Sequence, residues 1–418
     1  MSHFSSFDAL CSALDDRTFD RLPALVANAH ITGLGVARAL AAHDVPVVAL
    51  DRSGDGVAPA STAVTAAGEV TYPLDDRDAF REDVEELVDR IGREAVAFGC
   101  MDEWVHAFAE TRPDGVRLSF DADAAPAVLD KEELYARADR LGVPYPETYS
   151  LDEVDPADAA EALEFPFLVK PARKREGEEV LGTNVVEVAD AEAFAEVVDR
   201  AQSADIRVLA QEQVDVAVGE DRSLASYVPP GSVDVDDSTD TPDPLAVVGN
   251  ARVRHPRAFG TSCVVDVVED ATVREQALSV LADAGYHGIS ESEFVYDRER
   301  GEHVLLDVNT RPWKWIGLPV AAGRNLPLAA YEAVTDGDVE RACGRERASR
   351  WVYLRDLLAG LASGDAPNVL TGEQWHAVAG GRPVDAGVTT GVFDTADPGP
   401  TQRLVETEFS GRDYYCSC

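Results

Sequence analysis

At 418 residues the chain has room for two or three domains of roughly 100–200 residues each. Acidic residues outnumber basic ones by 77 to 37, and a net charge of −40 repels polyanions, which excludes nucleic acid and anionic membrane surfaces as expected partners. With 45% apolar residues set in clear strand and helix patterns, the charge belongs to a folded chain and not to a disordered polyelectrolyte.

A short acidic helix opens the chain, followed by a buried strand at residues 24–28 (ALVAN), a glycine-containing turn and the helical VARALAAHD. A second strand, VPVVAL, ends at Asp51. This βαβ order implies a parallel sheet with ligands near the carboxyl ends of its strands. Gly33-Leu34-Gly35 begins the dinucleotide fingerprint G-x-G-x-x-G, but Arg38 stands at the third glycine position, so packing accounts for the pair better than a nicotinamide cofactor does. The helix DRDAFREDVEELVDRIG, the strand AVAFG and the helical DEWVHAFAE complete an α/β domain over residues 1–125.

Asp130 is placed to cap a helix that starts at Lys131, with Glu133 three positions on as in a capping box, and LGVPYPETY ends it in an extended segment. FPFLVKPA is a strand that delivers Lys170, ARKREGEEVLG a basic, glycine-flanked loop, and TNVVEV and VLAQEQV two further strands on either side of a helix. PPGSVDVDDSTDTPDP lacks apolar periodicity and reads as a solvated acidic excursion between two strands of a hairpin. LAVVGNARVRHPRAFGTSCVVDVVE supplies two strands around a basic turn, in which Arg252 and Arg257 are expected to be solvent-facing or structural, and REQALSVLADAGY is a helix. Beyond residue 345 the pattern weakens: WVYLRDLLAGLASG reads as a helix, while GVFDTADPGP and the tail read as irregular chain covering the body.

The most informative segment is Gly288 to Trp315. Residues 291–297 and 302–309 carry strand composition, and RERG between them reads as a hairpin loop. Period-2 alternation puts Asp307 and Asn309 on one face and Leu306 and Val308 on the other, in apolar packing. If Asp297 pairs with His303, Glu293 falls opposite Asp307, and two carboxylates and an amide converge with Arg311 just beyond. Such hard oxygen ligands suit Mg²⁺. Acidic residues are so abundant here that chance pairs arise, yet carboxylates interrupting the apolar run VLLDV need a reason, because an unpaired buried charge is costly.

The six cysteines, at 11, 100, 263, 343, 416 and 418, form no CxxC pair and no regular framework, which argues for a reducing compartment. Cys416-Ser417-Cys418 reads as an exposed tail. With no positively charged, apolar leader and no run near the ~18 apolar residues a bilayer requires, a soluble cytoplasmic protein is expected. Only four basic residues are lysines. Low lysine with high negative charge resembles proteins of extreme halophiles, in which carboxylates maintain solubility in concentrated salt.

Taken in order, the glycine-turn βαβ domain, the Lys131 helix with LGVP, LVKPA, a glycine-bearing loop, QEQV, ARVRHP and EF…LLDVNTRPW resemble the ATP-grasp superfamily, and within it the carboxylate–amine ligase-like proteins. AAGRNLPLAAYEAVTDG matches the segment that closes the domain in relatives. The likeness covers roughly residues 24–335. It implies a Rossmann-like α/β pre-ATP-grasp domain (1–125), an α+β ATP-grasp domain of two subdomains (126–340) and a C-terminal extension packing on the body (341–418). It further implies that ATP lies between the two subdomains. Lys131 and Lys170 would contact its phosphates, and a loop at 172–182 would close over them with Arg173 or Lys174 as donors. Gln211, Glu212, Gln213 and Val214 would line the adenine, and Glu212 or Asp221 would hold ribose. Glu293, Asp307 and Asn309 would hold two Mg²⁺ (or Mn²⁺) ions, and Arg254 and Arg311 would stabilise the transferred phosphoryl group. Relatives commonly carry Glu at Asp307 and Pro at Thr310. The shorter carboxylate puts two-metal bridging in question.

The expected function is ATP-dependent ligation: a small-molecule carboxylate is activated as an acylphosphate and opened by an amine, without a nucleophilic side chain. Carboxylation or phosphorylation of a small metabolite, and a nucleotide-binding module without turnover, are the alternatives. Trp313, Lys314 and Trp315 read equally as acceptor pocket or as packing. A homodimer is expected from fold analogy alone.

Overall fold

The computed structural model describes residues 4–173, 177, 180–231, 243–257 and 260–409. Lys174, most of the acidic excursion and the Cys416/Cys418 tail lie outside the described residues. Strands β1 (Phe4–Ser5), β2 (Ala24–Ala27), β3 (Val47–Asp51), β4 (Ala66–Glu69), β5 (Ala95–Gly99) and β6 (Val116–Leu118) form a parallel sheet in the order β1-β4-β3-β2-β5-β6. β2, β3 and β5 are buried at every position, which is why each is a continuous apolar run instead of an alternating one. The short β4 (AAGE) and β6 (VRL) show no readable period and were not expected.

The helix after β2 begins at Ile31, earlier than the expected Val36, so Gly33 and Gly35 sit inside its first turns. Both are there for close approach. A Cβ on Gly33 would stand 2.2 Å from the Asn28 carbonyl oxygen, and one on Gly35 would stand 2.6 Å from Ile316 Cγ2. Arg38 pairs with Asp397 at 2.9 Å and donates to the Gly391 and Val392 carbonyls, tying this helix to the C-terminal segment. The glycine pair serves packing, as its sequence context suggests.

β7 (Thr148–Ser150), β8 (Phe167–Pro171), β9 (Val186–Val188) and β10 (Val208–Gln211) form an antiparallel sheet in the order β7-β10-β8-β9. The helices Pro156–Leu163 and Ala191–Ser203 complete this layer. Its core, with Phe194 set edge-on against Phe167, shares no residue with the cores of the other sheets. The helix Lys131–Leu141 precedes it. Asp130 Oδ1 accepts from Glu132 N at 3.1 Å, a simple cap in place of the expected capping box with Glu133, and Gly142 (φ +67°) ends the helix.

β11 (Asp221–Val228), β12 (Leu245–His255), β13 (Thr261–Val268), β14 (Gly288–Asp297), β15 (Glu302–Asn309), β16 (Arg350–Val352) and β17 (Val388–Thr390) form the third sheet, in the order β15-β14-β11-β12-β13-β16-β17. One apolar cluster runs from the first sheet into this one through Ile316, Trp313, Trp315 and Trp351, joining the two layers.

The C-terminal residues do more than cover the body. β16 pairs antiparallel with β13, and Arg350 clamps Asp266 with two bonds of 2.5 and 2.7 Å. The expected helix from Trp351 starts at Leu354, after β16, and the tail expected to be irregular forms a helix over Gly399–Phe409. No described helix is long and apolar enough to cross a membrane. Cys11, Cys100, Cys263 and Cys343 are free, and only Cys343 is exposed.

Candidate active site

β14 and β15 pair from Asp297 opposite Glu302 to Phe294 opposite Leu305, then slip by one residue so that Glu293 faces Asp307 and Glu291 faces Asn309. The expected pairing of Asp297 with His303 is therefore wrong at the loop end, where His303 lies opposite Tyr296, while the carboxylate pairing stands. A β-bulge at Leu306 reconciles the two. Leu306 was placed in apolar packing. It is only half-buried and lines the cleft, while Leu305 and Val308, three residues apart, both enter the core.

Asn309 Nδ2 donates to Glu293 Oε1 at 2.9 Å and to Glu291 Oε2 at 3.3 Å. Glu291 was not singled out, although it lies two residues before Glu293 and period 2 puts both on one face. It is buried, and its carboxyl is held well above the usual carboxylate range by that burial and then by the neighbouring charge of Glu293. Among the described residues no three His, Cys, Asp or Glu side chains close into a metal cage. The two carboxylates and amide of Glu293, Asp307 and Asn309 still fit Mg²⁺, which takes one or two protein carboxylates and completes its shell with phosphate and water. Asp307 Oδ1 is paired with Lys131 Nζ at 2.5 Å, so an ammonium also balances this carboxylate.

Lys170 leaves β8 buried and donates to Gln211 Oε1 at 2.6 Å. Burial first, and then the charge of Lys131, push its pKa down to about 8. Lys170 and Gln211–Val214 line a cavity of about 760 Å³ between the second and third sheets. That volume lies within the roughly 300–1,000 Å³ usual for a small-molecule site. Its walls mix Leu168, Val185, Val214, Val295 and Leu306 with polar groups, and Asp365–Pro367 from the C-terminal region contribute as well, which the sequence did not suggest. Arg252 and Arg257, expected to be solvent-facing or structural, are exposed and stand at its rim.

Asp221 and Glu212 line this cavity, yet both are partly committed. Asp221 Oδ2 accepts from Arg254 Nε at 2.7 Å, and Glu212 Oε1 accepts from Glu147 N and Arg300 Nη2. Burial raises the Asp221 carboxyl above its ordinary value, against the opposing pull of Arg254. Arg311, expected just beyond the converging carboxylates, is held by neighbours on two sides. It is buried, its Nε donates to Asp102 in the helix that follows β5, and Nη2 donates to Asn309 Oδ1 at 3.3 Å. Losing one partner of such a buried pair typically costs about 3–5 kcal/mol, so Asp102 fixes where this arginine stands. Arg173 lies 3.8 Å from Asp130 and lines a recess shared with Asp102, Lys131 and Asp307.

A second cavity, of about 200 Å³, adjoins the first and shares Lys170, Arg254, Glu293 and Leu306 with it. Glu291, Arg311, Trp313, Lys314 and Trp315 complete its wall, so the WKW segment is both core and cavity lining. The chemistry available is the neutralisation and alignment of phosphate oxygens beside a small second compartment.

The family described as the ATP-binding domain of the carbamoyl-phosphate synthase L chain matches residues 130–314. No curated protein matches the chain by sequence. The fold is similar to that of N5-carboxyaminoimidazole synthetase from Staphylococcus aureus complexed with ADP (TM-score 0.58, 15% identity, covering 77% of this chain and 79% of that one). It is also similar to L-amino acid ligase from Bacillus licheniformis (0.53, 12%, 75% and 74%) and to biotin carboxylase from Campylobacter jejuni (0.57, 11%, 76% and 72%).

Proposed function

The chain has the ATP-grasp fold, and from that premise we propose that it is an ATP-dependent ligase that activates a carboxylate as an acylphosphate and joins it to an amine. The observation that carries this reading is the shared wall of the two cavities. The larger has the size and mixed walls of a nucleotide site, and the boundary between them is formed by Lys170, Arg254 and Glu293. A γ-phosphate at that boundary would face the small compartment.

In the first step a substrate carboxylate oxygen bonds to the γ-phosphorus while the bond to the bridging oxygen breaks and ADP leaves. In the second, the amine nitrogen bonds to the acyl carbon, the carbon–oxygen bond to phosphate breaks, and the nitrogen's proton passes to solvent. Lys131 and Lys170 hold phosphate oxygens by charge. Arg254 and Arg311, anchored by Asp221 and Asp102, present donors in fixed directions, which is the main contribution a protein makes to phosphoryl transfer. Mg²⁺ held by Glu293, Asp307 and Asn309 would supply further neutralisation of phosphate charge.

The test is an ADP-release screen in concentrated KCl with Mg²⁺, pairing candidate acids, bicarbonate included, with amines. ADP formed one-for-one with an amide product is the expected result. A phosphorylated or carboxylated product formed without any amine would replace ligation by kinase or carboxylase chemistry. Tight ATP binding without ADP release across the panel would make the chain a nucleotide-binding module.

A further inference from the structure

Strand β10 lies between β7 and β8, so a side chain near its end can reach both neighbours. Gln211 does so. The register sets Thr148 directly opposite it on β7, and sets Lys170 opposite Leu209 on β8, hence diagonally across from Gln211 on the same face. Gln211 Nε2 donates to Thr148 Oγ1 at 2.8 Å, and its Oε1 accepts from Lys170 Nζ at 2.6 Å.

The direction of this amide is dictated from both ends. Thr148 has a single hydroxyl proton and gives it to the Pro146 carbonyl at 2.7 Å, so its oxygen meets Gln211 as an acceptor. The Tyr135 hydroxyl spends its proton on the Leu306 carbonyl at 2.8 Å, and its oxygen is bonded by the same Gln211 side chain. At the other end an ammonium can only donate. The amide N–H groups are thereby drawn to the two hydroxyls, and its oxygen is left for Lys170. Reversed, the amide would set N–H groups against the ammonium and its oxygen against hydroxyls with no proton to give. The other buried cations on the walls of the two cavities, Lys131, Arg311 and Lys314, each lie against a carboxylate. Lys170 does not: among the described residues its bond is to this neutral amide. An amide fixes where the cation stands without cancelling its charge.

We propose that Gln211 is a positioning residue that holds the Lys170 ammonium ready for nucleotide phosphate, and that Thr148 and Tyr135, which line neither cavity, set the direction of its amide. The assignment rests on the nucleotide reading of the larger cavity. Thr148→Val keeps the side-chain shape and removes one of the two acceptors. In calorimetric titrations of the full-length chain in concentrated KCl with Mg²⁺, it should weaken ATP by about three- to tenfold, as loss of one buried hydrogen bond implies, while adenosine, with no phosphate for Lys170 to hold, stays within about twofold. Thr148→Ser restores the hydroxyl and should bring ATP affinity back to within about twofold of the unaltered chain. Tyr135→Phe removes the second acceptor and should show the same selective loss, which keeps the test open if Thr148→Val fails to fold. Unchanged ATP affinity in whichever of these two variants folds would overturn the proposal. So would an equal loss of ATP and adenosine, which would make the network a general support of the sheet, or a Thr148→Ser variant as weak as Thr148→Val. The expected pattern without ADP release for any acid and amine would leave this inference standing and end the ligase reading, while absence of ATP binding by the unaltered chain would end both.

Discussion

At the level of single residues, the site is a set of groups held in states they would not adopt alone in water. Asp307 faces Glu293 across the hairpin and balances Lys131. Asp307→Asn keeps the shape and a hydrogen-bond acceptor for Lys131 but removes the charge, so ADP release should fall by about 10²–10³-fold with little change in far-UV circular dichroism. Asp307→Glu should retain activity if β15 can shift outward by a methylene. Lys170 offers a pH test. Its folded value of about 8 lies below the ordinary lysine value of 10.5. Between those values the unfolded chain binds more protons than the folded one, so stability of the ligand-free protein should rise from about pH 8 to about pH 10.5. Nucleotide phosphates favour the charged lysine, so ATP affinity should move the opposite way, falling as pH rises through about 8, with proton uptake on binding near that pH. Calorimetry in buffers of differing ionisation enthalpy measures that uptake, and Lys170→Arg, charged throughout, should abolish it. Lys170, Glu293 and Asp307 could be picked out from sequence because a charge in an apolar strand is locally anomalous, whereas Lys131 is identified only through the family resemblance. The pairing of Arg311 with Asp102 and of Arg254 with Asp221 could not be, since Asp102 is an ordinary acid in a chain full of them, Asp221 is marked only as a ribose candidate, and both lie far from their arginines in sequence.

At the level of elements, the hairpin was legible because its strands are long and its loop is short, polar and ended by glycine. The bulge was not. Val-Leu-Leu carries no local mark of which leucine leaves the ladder. That choice is made by the core, which accepts both Leu305 and Val308, and it is what turns Leu306 to the cleft. The C-terminal strands were equally hidden, because β16 and β17 are three residues each and owe their conformation to pairing with β13 and each other. A chain ending at residue 345 would bare the edge of β13 and strip Trp351, Tyr353, Val388 and Val392 from the shared core. Such a truncation should lose cooperative thermal unfolding and aggregate, as seen by circular dichroism and size-exclusion chromatography in concentrated KCl. A sharp melt close to that of the full chain would mean the segment is dispensable.

For the molecule as a whole, a net charge of −40 must be screened for the compact state to persist. The melting temperature should climb with KCl, and structure should be lost below roughly a few tenths molar, where screening lengths grow past several ångströms. A melting temperature indifferent to KCl would contradict adaptation to concentrated salt. The three described lysines bear on this, because all of them are buried and line the two cleft cavities or the adjoining recess.

That distribution has a kinetic side. On the proposed reading ATP, itself a polyanion, must cross a repulsive exterior before it meets the cations inside. Enzymes with attractive surfaces capture charged ligands fastest in dilute buffer and slow down as ions are added. Here the order should invert: stopped-flow capture of a fluorescent ATP analogue should accelerate as KCl is raised over the range in which the protein stays folded, while its escape rate, governed by the sheltered lysines, changes far less. Concentrated salt would then act as the agent that opens the approach to the cleft, and not merely as a medium the protein withstands.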